Sequence, residues 1–99
     1  TPIEAAEREL KEEIGYGANK LTFLKTITLA PGYQSSETHI VLAEDLYEDK
    51  AEGDEPEPLE IVKHKLSGLE KLTYSKDLTE ARSILALFMA RELILSRQN

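Results

Sequence analysis

The sequence predicts an α/β (α+β) fold, and three observations predict it. Apolar residues at helical spacing open the chain, segments rich in β-branched and aromatic residues occupy the middle, and a long, mostly apolar segment closes it. Read in order, these give helix, strand, strand, strand, helix.

The opening helix has its start signals in place. Thr1 suits the N-cap, Pro2 the first helical position, and Glu4 completes a capping box. Ile3, Ala6, Leu10 and Ile14 form one core-facing stripe, and Gly15 or Gly17 supplies a left-handed C-terminal cap. Residues 21–29 alternate loosely and hold Phe23, Ile27 and three threonines, which reads as a strand. Residues 30–36 form a loop. Residues 39–46 form a second strand, expected to be buried on both faces at 40–43. Residues 47–58 form a long acidic loop containing Gly53, Pro56 and Pro58; structureless stretches of this length are uncommon inside a domain and often functional. A third strand is expected over 59–66 and a short helix over 67–72. Asp77 and Glu80 make a second capping box that would start a helix ending near Ser96, apolar almost all round between 83 and 90. Three strands leave most of a sheet unpaired, and the last helix is too apolar to stand in water by itself. Further strands or a partner chain are therefore expected to cover them.

Composition narrows the function. Ninety-nine residues hold at most one domain. With 40% apolar and 31% charged residues, the chain has globular rather than membrane composition, and it contains no apolar run of about 18 residues that could span a bilayer. A net charge of −7 argues against a nucleic-acid backbone as partner, which calls for clustered Lys and Arg. The same charge admits a small phosphorylated substrate if metal cations offset the repulsion. With no cysteine, disulfides, thiolate metal sites and thiol nucleophiles are excluded, which fits a cytoplasmic setting.

The chemistry concentrates in residues 8–16, Arg-Glu-Leu-Lys-Glu-Glu-Ile-Gly-Tyr. At about 100° per residue, Glu9, Glu12 and Glu13 span an arc of roughly 100°, largely opposite the Ile3/Leu10/Ile14 stripe. Carboxylates at these spacings repel, each pair costing a helix a few tenths of a kcal/mol, so a compensating charge is expected. A hard divalent cation with oxygen ligands meets that need; Mg²⁺ would keep several waters and bridge to substrate phosphates, with Mn²⁺ as a possible substitute. Arg8 is placed to pair with Glu12 at i+4 or to anchor a neighbouring carboxylate. The bland alternative is a solvated acidic helix face, glutamate being a good helix former.

The ordered string fits R-E-U-x-E-E-x-G-U (U apolar) and so resembles the second half of the signature box of Nudix hydrolases. The full box is G-x5-E-x7-R-E-U-x-E-E-x-G-U. Seven residues precede Arg8 here, so the box glycine and first glutamate would lie upstream of Thr1. The resemblance therefore implies that residues 1–99 are the C-terminal portion of a single Nudix domain, without its N-terminal strands and the start of the box. The expected architecture is a partial α/β/α sandwich, its mixed sheet flanked by the box helix and the C-terminal helix. The Ala30-Pro31-Gly32-Tyr33 segment with Ser35 and Ser36, the strand ending Ala43-Glu44-Asp45-Leu46, the Glu52-Gly53-Asp54-Glu55-Pro56-Glu57-Pro58-Leu59 run and Glu80-Ala81-Arg82 are similar to the ADP-ribose pyrophosphatase branch.

That branch implies Mg²⁺-dependent cleavage of the pyrophosphate inside small ADP-linked compounds, such as ADP-ribose, diadenosine polyphosphates or NADH, with release of AMP. By position, Glu9 and Glu13 become metal ligands with Glu12 close behind, and Arg8 an orienting residue. The general base falls to Glu57 or Glu55 on the acidic loop, Glu57 being favoured. Tyr33, Ser35 and Ser36, with Glu37 beside them, lie on the loop by which relatives approach substrate. The parent protein is expected to be a homodimer without nucleic-acid or membrane partners, and the 99 residues alone are expected to be inactive. A competing reading from another class is a non-catalytic Nudix-like module that binds a nucleotide or protein. The packed carboxylates argue against it, since binding alone does not call for so many repelling charges. A third reading, another Nudix substrate class such as oxidised nucleoside triphosphates, is disfavoured by the long 47–58 loop and the Ala30–Tyr33 segment. His39 and His64, each beside apolar residues, read as ordinary strand histidines. Ser35 and Ser36 have no His/Asp partners that would make either a nucleophile.

Overall fold

The structure, a computed structural model, describes residues 1–29, 36–49 and 61–98. It divides into two units, Thr1–Ile61 and Val62–Asn99, each taken by itself below.

Helix α1 (Pro2–Glu9) opens the first unit. The Thr1 hydroxyl accepts the Glu4 amide at 3.1 Å, so the expected N-cap forms. The helix then widens into one π turn over Leu10–Ile14, closed by the Gly15 amide donating to the Leu10 carbonyl at 3.0 Å. Such i→i+5 turns are rare inside helices and cluster at functional sites. Gly15, at φ 82°, takes the left-handed cap, a conformation that glycine adopts without a Cβ penalty.

The chain passes from that cap directly into β1 (Tyr16–Leu29), which pairs antiparallel with β2 (Ser36–Glu48). Both strands are longer than the apolar pattern predicts. The added ends include polar pairs such as Lys20–Glu44 and Thr28–Glu37, which hydrophobic alternation does not register. A bulge at Leu24, between Phe23–Val41 and Lys25–Ile40, shifts the pairing by one residue. As a result Leu21, Phe23, Thr26 and Thr28 share a face with Glu37, His39, Val41 and Ala43. Ile40 lies on the other face and, at 6% exposure, is the buried hydrophobic residue among those described. Its neighbours Val41, Leu42 and Ala43 are half-buried, so burial on both faces of 40–43 is only partial.

The described sheet is two-stranded and antiparallel. One expectation is corrected. Residues 61–65 do not form the third strand; all five are exposed, Val62 at 65%, and without burial on either face the segment gains nothing from extending.

The second unit is helical. A 3₁₀ turn (Leu66–Gly68) leads into α2 (Leu69–Thr73), close to the short helix expected, and α3 runs over Ala81–Ser96. The N-cap of α3 is Glu80 rather than Asp77. One carboxylate oxygen of Glu80 accepts the Ser83 amide at 2.7 Å, and the other accepts the Arg82 guanidinium. Asp77 instead donates its amide to the Ser75 hydroxyl at 3.1 Å, in the turn before the helix. Arg91 ties α3 to α2 through Glu70 at 3.3 Å. No described helix is long and apolar enough to cross a membrane.

Candidate functional site

A groove of about 510 Å³ runs between α1 with its π turn and the sheet face that carries Val41. Its helical wall is Pro2, Ala5, Ala6, Glu9, Leu10, Glu13 and Ile14. These positions recur at helical spacing, so the two glutamates border an otherwise apolar stripe. The strand wall includes Leu21, Glu37, His39 and Val41.

Glu9 and Glu13 thus share one concavity, as their spacing predicts, but they border the Leu10/Ile14 stripe rather than lying opposite it. Glu12, also exposed, is not part of its lining. Among the described residues none of the three carboxylates has a hydrogen bond or ion pair, and no three acidic or histidine side chains gather into a ready-made metal cage. Two oxygen-donor carboxylates without partners among the described residues fit a hard divalent cation of the kind bound through one or two carboxylates plus waters rather than by an all-protein cage. Glu9 and Glu13 are the residues that would hold it.

The expected Arg8–Glu12 pair does not form among the described residues. The turn widens immediately after Glu9, and an i,i+4 pair across that point loses its α-helical spacing. The cation that is engaged is Lys11. Its ammonium lies 3.5 Å from Glu7 and 3.4 Å from Asp49 at the end of β2. The hydrogen bond and charge of Asp49 raise the Lys11 pKa above the ordinary lysine value. Asp49 also donates its amide to the Gly15 carbonyl at 2.9 Å. Next to this junction the Tyr47 ring covers Gly17, where a Cβ would lie 2.6 Å from the ring edge and the hydroxyl.

Of the other candidates, Ser36 is the exposed first residue of β2. Tyr33, Ser35, Glu55 and Glu57 lie outside the described residues. His39, expected to be an ordinary strand histidine, lines the groove with Glu9 and Glu13. Its Nδ1 is 2.7 Å from the Thr26 hydroxyl, and its ring lies 6.3 Å from that of Phe23. The missed signal was parity: 37, 39, 41 and 43 fall on one face of a strand, so Glu37 and His39 follow Val41 into the groove. Asn19 donates to Asp45 at 3.0 Å across the strands, and Asp45 adopts φ 56°, a left-handed conformation tolerated by aspartate.

This geometry, with acidic side chains bordering a groove beside a glycine-capped helix, can be set against known proteins. The NUDIX domain family matches residues 1–88. The chain belongs to the Nudix family. Its Nudix sequence is 55% identical over 89 residues to the ADP compounds hydrolase NudE of Escherichia coli (strain K12), a match that covers 90% of this chain and 48% of that protein. It is 38% identical over 88 residues to the ADP-ribose pyrophosphatase of Bacillus subtilis (strain 168), covering 87% of this chain and 48% of the relative. A crystal structure of an ADP compounds hydrolase superposes with a TM-score of 0.88 at 52% identity, over 96% of this chain and 51% of that one. This Nudix chain therefore spans about half the length of the curated relatives it matches. The α/β architecture expected from the sequence agrees with that superposition.

Proposed function

We propose that residues 1–99 serve, as the C-terminal portion of a longer Nudix polypeptide, in the Mg²⁺-dependent hydrolysis of the pyrophosphate bond in ADP-linked compounds, releasing AMP. ADP-ribose, diadenosine polyphosphates and NADH are the substrates of this reading, and two relatives carry names of that class. The observation that carries it is the placement of Glu9 and Glu13 on one groove, unpaired among the described residues, within a box that belongs to hydrolases. A divalent cation bound there, Mg²⁺ or Mn²⁺ in its place, would supply Lewis acidity and offset the charge of the pyrophosphate. Glu9 and Glu13 would hold the cation, and Glu12 would add negative charge beside it. Arg8, exposed at the end of α1, would orient the polar groups around it.

Glu57, or Glu55, would take the proton of the attacking water, as general-base chemistry requires of a carboxylate within hydrogen-bond reach. Tyr33, Ser35 and Ser36 would contact the substrate. The parent is taken as a cytoplasmic homodimer, a reading supported by the cysteine-free sequence and by the apolar α3, whose Phe88 is 48% exposed. The 99 residues alone are expected to be inactive.

The test is AMP release from ADP-ribose with Mg²⁺ by the parent polypeptide, with residues 1–99 alone as the control. Release by the parent that collapses in Glu13→Gln is the expected result. No AMP across ADP-linked substrates and metals would favour a Nudix module that binds without turnover. Full activity of residues 1–99 would overturn the reading of the chain as a portion.

A further inference from the structure

We infer that Lys11 and Asp49 are positioning residues: their ion pair ties the π turn to the end of β2 and so fixes where Glu12 and Glu13 stand. The inference rests on the reading of Glu13 as a metal-holding residue.

The signature motif leaves the position of Lys11 open, so nothing in the motif demands a cation there. The geometry gives it a task. The π turn is pinned to the end of β2 at two points. At its start Lys11 reaches Asp49 at 3.4 Å. At its end the Gly15 carbonyl receives the amide of the same Asp49 at 2.9 Å. Glu12 and Glu13 lie between those points, and their carboxylates have no protein partners among the described residues. Mutual repulsion among Glu9, Glu12 and Glu13 works to open this turn, and a wide turn has poorer backbone bonding with which to resist. Gly15, in its left-handed conformation, is a weak anchor by itself, because glycine is the residue with the most backbone freedom. A second attachment one residue before Glu12 removes that freedom. Residues that orient metal ligands without touching the metal commonly contribute 10- to 100-fold in affinity, so an effect of about tenfold is expected here.

The sign of the effect separates positioning from simple charge. Removing the Lys11 cation makes the site more negative, which by charge alone tightens divalent-cation binding; removing the Asp49 carboxylate weakens it. Positioning predicts weaker binding from both. The experiment titrates Mn²⁺ into the parent polypeptide, following free Mn²⁺ by electron paramagnetic resonance, for Lys11→Gln, Asp49→Asn, Lys11→Arg and Glu13→Gln. Steady-state kinetics with ADP-ribose run alongside. Both Lys11→Gln and Asp49→Asn should weaken Mn²⁺ binding by about tenfold and lower kcat with KM for ADP-ribose unchanged, while Lys11→Arg stays near wild type. Mn²⁺ binding that is unchanged or tighter in Lys11→Gln overturns the inference, whatever happens to thermal stability. Glu13→Gln separates the two failures. If it loses Mn²⁺ while Lys11→Gln does not, only the positioning role falls; if Glu13→Gln binds Mn²⁺ normally, the metal reading falls first.

Discussion

The two units solve different problems with the same chain chemistry. In Thr1–Ile61, carboxylates that repel one another have no partners among the described residues along a groove, and polar ties join the elements around them: Lys11 to Asp49, Asn19 to Asp45, Thr26 to His39. In Val62–Asn99 the polar groups serve the helices themselves. Glu80 caps α3, and Arg91 joins α3 to α2 while the rest of α3 is mostly apolar. On the proposed function, the contrast teaches that charge placed for chemistry works against local stability, and neighbouring groups compensate. Charge placed for structure is satisfied where it stands.

The sharpest way to break this comparison is Glu13→Gln. It should lower AMP release by about 100-fold or more, the scale on which a single preorganised charge-stabilising group acts. It should leave the thermal midpoint unchanged or slightly raised, since it relieves repulsion of a few tenths of a kcal/mol. A fall in both would mean that Glu13 is structural. Next is Gly17→Ala, whose new methyl would meet the Tyr47 ring. The ring ends an exposed side chain that can swing aside, so the cost in chemical denaturation should be about 1 kcal/mol or less, below that of overpacking a closed core. In a Tyr47→Ala background the same substitution should be close to neutral, because the obstruction is gone.

Glu80 sharpens the other side. The hydrogen bond from Arg82, then that from the Ser83 amide, hold its carboxyl below the usual value. A depressed carboxylate pKa stabilises the fold above the unfolded value of about 4.3, and that contribution is lost as pH falls through the depressed value. Helicity followed by circular dichroism should therefore decline on acidification below that value, and Glu80→Gln should flatten this part of the titration. The smallest effect is expected from Arg91→Ala. Partly exposed ion pairs of this type contribute about 0.2–1 kcal/mol, and a double-mutant cycle with Glu70→Ala measures it.

The sequence carried these features unevenly. Thr1 as cap, Gly15 as left-handed stop and Glu9 with Glu13 on one side were legible because each depends on residues within a turn or two. The π turn was not, since its composition is that of a good α-helix and its i→i+5 closure leaves no mark in the pattern. That same widening explains why Arg8 misses Glu12. His39 was legible only in part: parity places it on a face, but the bulge and register decide what shares that face. The 59–66 strand failed over its described part because the apolar character of Ile61 and Val62 says nothing about whether anything lies against them. Asp77 and Glu80 both fit a capping pattern, and the choice between them turned on the carboxylate of Glu80 reaching Ser83.

The bulge in β1 bears on how this chain can change length. Leu24 is the surplus residue between two stretches of regular pairing. A gene that lost its codon would keep every other cross-strand partnership and both faces of the hairpin, with only the local kink straightened. Loss of a neighbour such as Lys20 would disturb the partnerships on one side of the gap and turn residues over. The strand thus has a built-in place where a one-residue deletion is structurally mild, two residues from Thr26 and its partner histidine.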